Sequence, residues 1–347
     1  MYLDRFKQKP VIIAEAGVNH NGSPDLARKL IEAAAASGAD IVKFQTFKAY
    51  ECASFGCQKT NYQKHTAATD QFELLEQLEL PFERFKELKQ YAESLGLEFL
   101  STPDGHESLD CLCDIGINAI KIASGEVTNL PFLVEISRKC LPVILSTGMS
   151  SIGEVEQAIN TLRKNGAHDL MLLHCTSEYP TPPSDINLSV IHTLKQAFSL
   201  PTGLSDHSQG IEAAIAATAL GAQIIEKHFT LDKTLPGPDH AASLEPDELK
   251  QLVSSVRKTA RMIGYPGKIP APSEKENINL VRRSIVANQK IKKGQCIIEA
   301  MLTTKRPASG IEPKFWQQVL YRETLFDIEP DQPLTWEMLG KVKKIEN

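Results

Sequence analysis

Short runs of β-branched and other apolar residues alternate along most of the chain with stretches of helical periodicity. Eight such runs, at residues 11–17, 40–46, 97–102, 118–124, 142–147, 169–176, 202–207 and 223–229, are each followed by a helical stretch. That alternation predicts βαβ units around a parallel sheet. The punctuation agrees: Ser23-Pro24-Asp25 supplies an N-cap, a first-turn proline and an early acid, while Gly38, Gly96, Gly116, Gly166 and Gly221 stand where helices should stop. Eight units are the complement of a closed (β/α)8 barrel, a TIM barrel of about 250 residues. An open doubly wound sheet would more often carry a G-x-G-x-x-G loop after its first strand, and Glu15-Ala-Gly-Val-Asn-His-Asn-Gly22 does not.

The pattern breaks at Tyr265-Pro-Gly-Lys-Ile-Pro-Ala-Pro-Ser273, and beyond it segments 284–288 and 294–298 alternate as short strands do. The expected organisation is a barrel over 1–264, a linker over 265–282 and a small β-rich domain over 283–347. An insertion at 48–80 is too long for an ordinary βα loop, so it is a candidate lid or interface element whose fold the pattern does not give.

Composition narrows the functional classes. Hydrophobic residues make up 42% of the 347 positions and charged residues 23%, which suits a folded globular chain. A net charge of −5 gives no general attraction to nucleic acid or to an anionic membrane, so locally placed cations must hold any anionic substrate. No leader-like apolar run opens the sequence, and no stretch reaches the roughly 18 apolar residues of a membrane span. A cytoplasmic location is therefore expected, with the seven cysteines reduced. Cys111-Leu-Cys113 lies in a helix-like run with no second ligand pair at zinc spacing, which favours packing over metal. Asn21-Gly-Ser23 matches a glycosylation acceptor only formally.

Polar residues gather at the C-terminal ends of all eight predicted strands: Glu15, Lys43 and Gln45, Ser101 and Thr102, Lys121 and Ser124, Ser146 and Thr147, His174 and Thr176, Ser205 and His207, and His228. Barrel enzymes work on that face. A lysine within an apolar strand, as in Ile41-Val-Lys-Phe-Gln45 and Ala119-Ile-Lys-Ile-Ala123, needs an anionic partner, because burying an unpaired charge costs several kcal/mol. Lys43 and Lys121 are thus either structural ion pairs, with Glu15 an available partner, or cations for a small phosphorylated or carboxylated substrate assisted by Ser124, Ser146 and Ser205. His207 and His228 end neighbouring strands. They are either satisfied by the core or are two nitrogens of an open site for Mn2+ or Mg2+. Asp239, in Pro236-Gly-Pro-Asp-His240, either binds sugar hydroxyls or shapes its turn.

The segments Ile13-Ala-Glu-Ala-Gly-Val-Asn-His-Asn-Gly22, Val42-Lys-Phe-Gln-Thr46, Lys121-Ile-Ala-Ser-Gly-Glu126, Leu145-Ser-Thr-Gly-Met149, Gly203-Leu-Ser-Asp-His207, Glu226-Lys-His-Phe-Thr230 and Pro236-Gly-Pro-Asp-His240 together resemble the sialic acid synthase (N-acetylneuraminate synthase) family. The likeness runs in order through nearly the whole chain. Ile291-Lys-Lys-Gly294 and Thr304-Lys-Arg-Pro307 resemble that family's C-terminal antifreeze-like (SAF) domain.

The resemblance implies condensation of phosphoenolpyruvate with N-acetylmannosamine and water, giving sialic acid and phosphate by C–O cleavage, with Mn2+ or Mg2+. It implies phosphoenolpyruvate contacts from Lys43, Thr102, Lys121, Ser124, Ser146, Ser177 and Ser205, and metal ligation by His207 and His228. It implies sugar contacts from Gln45, Glu126, Tyr179, Asp239 and Arg306, and places Glu15 beside the reacting carbons. Arg306 would come from a second copy in a domain-swapped homodimer.

Three departures bear on specificity. Ser177 stands where some relatives carry Asn, Asp104-Gly105 where Phe-Asp is common, and Ala308-Ser309 where Gly-Asn is usual. Legionaminic and pseudaminic acid synthases share these motifs, so the alternative acceptor is a diacetamido 6-deoxy sugar, with Ser124-Gly-Glu126 leaning away from the pseudaminic type. A phosphoenolpyruvate aldol enzyme acting on a sugar phosphate would need a second basic cluster, which the sequence does not show. A non-catalytic carbohydrate-binding or antifreeze-like protein would leave the strand-end lysines and histidines unexplained.

Overall fold

The computed structural model describes residues 2–3, 9–64 and 66–343. Its first unit, within 1–264, is built on eight parallel strands: β1 (Val11–Gly17), β2 (Ile41–Thr46), β3 (Glu98–Pro103), β4 (Ile120–Ile122), β5 (Val143–Ser146), β6 (Leu170–Cys175), β7 (Thr202–Asp206) and β8 (Ile224–His228). All eight predicted strands are present, most of them a residue or two shorter than the apolar runs. Their order, β3-β2-β1-β8-β7-β6-β5-β4, brings β1 and β8 together and leaves β3 and β4 side by side at the seam of a nearly closed TIM-like barrel. The five glycines expected to stop helices all have positive φ.

Strand parity sorts the side chains into two apolar layers. Ile12, Ala14, Val42, Phe44, Phe99 and Leu172 face outward into the core between strands and helices. Ile13, Ile41, Leu100, Ala119, Ile144, Met171, Leu173 and Ile224 face inward and plug the barrel from below. The next inward layer up is charged, so the apolar plug is the dry floor of the polar site.

Gly203 shows how tight that interior is. A Cβ there would lie 2.5 Å from the Ile224 carbonyl oxygen and 2.7 Å from Leu173 Cδ2. Gly203→Ala is expected to cost about 1–3 kcal/mol through overpacking, read as a lower urea midpoint with an unchanged slope.

The 48–80 insertion folds as two short helices, Ala49–Cys52 and Gln71–Leu78, around a single 3-10 turn at Asn61–Gln63. Its apolar residues Ala68, Leu74 and Leu78 pack on Val18 and Phe47 beside the barrel mouth. No helix among the described residues is long and apolar enough to cross a membrane.

The second unit spans 265–347. Antiparallel pairs Ser284–Ala287 with Leu302–Lys305 and Arg322–Thr324 with Leu339–Val342 enclose a core that includes Ile285, Ile291, Ile297, Ile328 and Leu334. The predicted strand at 294–298 is instead irregular, joined to the 322–324 strand by a bridge at Cys296 and the bond from Ile297 N to Arg322 O. Within the stretch expected as a linker, Lys275–Val281 is helical, and the Asn279 carbonyl accepts a hydrogen bond from Ala308 N.

Candidate active site

Period-two alternation carries Glu15, Lys43, Lys121 and Glu226 into the barrel one step above the apolar plug. Lys43 Nζ lies 2.8 Å from Glu15 Oε1 and 3.9 Å from Glu226 Oε2, and Lys121 Nζ lies 3.6 Å from Glu226 Oε1. All four are buried. Hydroxyls complete the layer: Lys43 donates to Thr102 Oγ1 at 3.1 Å, Lys121 to Ser146 Oγ at 2.6 Å, and Ser205 Oγ to Glu226 Oε1 at 2.8 Å.

This arrangement sets the charges. Burial, partly offset by Lys43 and reinforced by Glu226, pushes Glu15 up to about 7. Burial also acts on Glu226, but Lys121 and Lys43 outweigh it and hold that carboxyl below its ordinary value. The Lys43 ammonium, opposed by burial, is held above the usual lysine value by Glu15 and Glu226, whereas burial wins at Lys121 and lowers it. One carboxylate oxygen on each of Glu15 and Glu226 has no hydrogen-bond partner. The lysines are thus neutralised by groups that are themselves incompletely satisfied, a poor resting arrangement unless an anion or a solvent network completes it.

The layer opens into a cavity of about 290 Å³. Of the residues the sequence proposed, Glu15, Lys43, Gln45, Thr102, Lys121, Ser124, Ser146, Ser177, Tyr179, Ser205, His207 and His228 all line it. Ser124 Oγ accepts from Gly148 N at 2.9 Å, which fixes it at the wall. Three proposed residues are not among its lining residues. Glu126 accepts a hydrogen bond from Asn129 and is absent from the lining. Asp239 borders the site, with its carboxylate 3.6 Å from His228 Nδ1 and within electrostatic reach of Tyr62 and Tyr179. Arg306, exposed and joined to Pro307 by a cis peptide, belongs to the second unit.

Parity also corrects the ring of polar strand ends. Ser101 pairs with Thr46 at 2.7 Å, Thr147 donates to the Leu173 carbonyl at 3.0 Å, and His174 Nε2 meets the Ile186 carbonyl at 2.6 Å, so these serve packing. At β6 it is Cys175 that lines the cavity. Glu226 was missed as a site residue although it lies two positions before His228, which puts it on the same face. Thr60 and Tyr62 of the insertion also reach the cavity; no periodicity in the sequence announces them.

The two histidines meet at ring centroids 5.4 Å apart, with Tyr179 stacked on His207 at 4.1 Å and Tyr62 4.9 Å beyond Tyr179. His207 Nδ1 lies 2.8 Å from the Thr176 carbonyl oxygen, so that nitrogen is the donor and Nε2 keeps its lone pair when the ring is neutral. Burial and His207 hold His228 well below the usual histidine value, and its Nδ1 lacks a hydrogen-bond partner. His207 is shifted the other way: burial opposes its charge, but Cys175, the Thr176 carbonyl and Glu226 raise it above the usual histidine value. In their neutral forms two imidazoles in one cavity fit an open divalent site completed by water and substrate. Among the described residues no three His, Cys, Asp or Glu side chains are grouped to enclose a metal, so a closed protein cage is not what this site offers. Cys175 Sγ is 3.7 Å from His207 Nδ1, and His207 lowers the thiol to about 7 against the effect of burial.

Over residues 30–268 the sequence matches the NeuB family, and over 282–340 a SAF domain. This chain belongs to the NeuB family. It is 51% identical to the N,N'-diacetyllegionaminic acid synthase of Campylobacter jejuni, covering 90% of this chain and 95% of that protein. Identity to the synthase of the same name from Legionella pneumophila is 45%, covering 94% and 93%. The crystal structure of the N-acetylneuraminic acid synthetase of Leptospira borgpetersenii, in complex with citrate, matches with a TM-score of 0.70 at 38% identity, over 78% of this chain and 90% of that one. The chain is therefore a synthase-type enzyme of this family.

The motif Asn19-His20-Asn21-Gly22 is structural. Asn19 Nδ2 bridges the Phe229 carbonyl and Ser243 Oγ at 2.8 and 2.9 Å, and His20 Nδ1 accepts from Gly22 N at 3.1 Å. Burial, with His240 beside it, lowers His20 to about 4. A histidine lowered on folding contributes stability that is present above its unfolded value near 6.5 and is lost as pH falls towards 4. The chain is expected to lose about 2–4 kcal/mol between those pH values through this ring, and His20→Gln to flatten that part of the curve in urea titrations.

Proposed function

We propose that this chain is an N,N'-diacetyllegionaminic acid synthase, which joins phosphoenolpyruvate to a diacetamido 6-deoxy sugar aldehyde and water and releases phosphate. Identities of 51% and 45% to synthases of that product support this acceptor over the N-acetylmannosamine first expected. The observation that carries the chemistry is the buried pair of lysines, set among hydroxyls and next to two imidazoles in one cavity.

In the reaction, C3 of phosphoenolpyruvate forms the new bond to the aldehyde carbon, water adds to C2, and the C2–O bond to phosphate breaks. Lys43 and Lys121 pair with the phosphate and carboxylate, and Thr102, Ser124, Ser146, Ser177 and Ser205 supply shorter-range hydrogen bonds that orient them. A divalent ion, Mn2+ or Mg2+, held by His207 and His228 would polarise the acceptor aldehyde. Glu15, raised to about 7, is suited to handle the proton of the incoming water, because near neutrality it exchanges between acid and base forms. Gln45 and Tyr179 face the cavity where the acceptor would lie, and Asp239 lies beside His228. The resemblance also supports a cytoplasmic homodimer in which Arg306 serves the barrel of a second copy.

The test is phosphate release from phosphoenolpyruvate with Mn2+ and a panel of acceptors: N-acetylmannosamine, its 6-phosphate, and diacetamido 6-deoxy sugars. Turnover is expected with a diacetamido sugar at a kcat/KM above that for N-acetylmannosamine. Turnover confined to the phosphorylated sugar would overturn the reading.

A further inference from the structure

Asp104 is the carboxylate at the cavity wall that neither the lysine layer nor the two-histidine site uses. It follows β3 directly, and its backbone is pinned at both polar groups: its N–H donates to the Thr46 carbonyl at 3.1 Å, and its carbonyl accepts from Cys52 Sγ at 3.4 Å. The adjoining corner is clamped by the insertion. Glu51 accepts from Glu107 N at 3.0 Å and from Ser108 Oγ at 3.1 Å, both at the start of the helix His106–Asp114. Gly105 permits that clamp, since its φ is +154° and a Cβ there would lie 2.4 Å from Glu51 Oε2.

The main chain at Asp104 is therefore fixed by its neighbours, and the side chain lines the cavity. Among the described residues its carboxylate takes no hydrogen bond, so it is not held there by a structural partner. Burial and the nearby Glu126 push it up to about 7, so its ionised form is disfavoured at rest. A half-buried carboxylate that lines the cavity with only the charges of Lys43 and Lys121 nearby, and no hydrogen-bond donor in the fold, reads as a group awaiting a ligand's donor.

We propose that Asp104 is a specificity residue of the acceptor subsite, its carboxylate accepting hydrogen bonds from N–H or O–H groups of the amino sugar at the rim between β3 and β4. The inference rests on the synthase reading above. It makes this chain favour acceptors that present a donor at that rim over those presenting a methyl or a bare ring edge. Lys43 and Lys121 lie within electrostatic reach of it but bond to Glu15, Thr102 and Ser146, so the phosphoenolpyruvate end of the site is held by contacts that Asp104 does not make.

The test compares wild type with Asp104→Ala, Asp104→Asn and Asp104→Phe on the full chain, by phosphate release across the same acceptor panel with each substrate varied in turn. Losing a hydrogen bond to a charged acceptor group is expected to raise the KM of the preferred sugar about tenfold or more in Asp104→Ala. The KM for phosphoenolpyruvate should stay within about twofold, with Asp104→Asn falling between the two. Asp104→Phe should narrow the preference between panel sugars. A sugar KM unchanged in Asp104→Ala, or equal rises for both substrates, overturns the proposal while leaving the synthase reading intact. Wild type inactive with every panel sugar overturns both, and melting curves identify a variant that merely fails to fold, in which case Asp104→Asn decides.

Discussion

His207→Ala is expected to lower metal-dependent turnover at least about a thousandfold while the protein stays folded. The side chain is buried at the cavity wall, with Nδ1 committed to the Thr176 carbonyl and Nε2 in a long, 3.4 Å contact with Ser205 Oγ that a ligand can replace. Truncation removes one donor from that carbonyl, which keeps Glu178 N and Thr181 Oγ1, and removes the ring on which Tyr179 stacks, a stability loss of about 1–3 kcal/mol that a barrel of this size tolerates. The loss of activity has a different origin, since His228 alone offers one nitrogen where two met. Mn2+ titration calorimetry separates the two effects: wild type should show a binding isotherm that His207→Ala lacks, with similar melting curves. His174→Ala is the matched control. It too ends a strand, but it bonds the Ile186 carbonyl outside the lining, so it should cost stability and spare metal binding. Metal-dependent phosphate release retained in His207→Ala would remove this histidine from the metal site.

What the sequence made legible follows from what is local. Strand identity depends on runs of apolar residues and on helix caps such as Ser23, whose side chain does accept from Leu26 N at 3.3 Å, and so all eight strands could be placed. Facing direction along a strand is equally local. Polarity alone puts His174 and Ser101 in the ring of strand ends, although each faces away, whereas parity from His228 brings in Glu226 two residues before it. Other features are non-local. Tyr62 reaches Tyr179 only because the insertion packs Leu74 and Leu78 on Val18 and Phe47. Asp239 comes within 3.6 Å of His228 Nδ1 through a turn whose course no periodicity encodes. The acceptor was legible least of all, because the motifs on which the resemblance rests are largely shared by synthases for either kind of sugar.

Lys43→Met tests the charged layer, and both stability and activity should fall. In the resting protein Lys43 is the close partner of Glu15 at 2.8 Å and a second partner of Glu226 at 3.9 Å, with Thr102 Oγ1 as a further acceptor. Replacing it with an apolar chain of similar length preserves packing but strands a buried carboxyl. Removing one partner of a buried ion pair costs about 3–5 kcal/mol, though part is avoided here because Glu15 already lies near 7 and takes up a proton readily. A melting transition lower by several degrees is therefore expected, with the gap widening as pH rises above 7, where keeping Glu15 protonated becomes harder. Turnover should fall at least about a thousandfold, because the substrate phosphate or carboxylate loses a preorganised cation. The double variant Lys43→Met/Glu15→Gln separates the causes. With no carboxyl left to ionise beside Met, it should recover much of the lost stability and its pH dependence, while Glu226 keeps Lys121 and Ser205 as partners. Its activity should stay lost. If instead the double variant regained turnover along with stability, Lys43 would be a structural counter-ion to Glu15, and the substrate anion would be held by Lys121 and the hydroxyls alone.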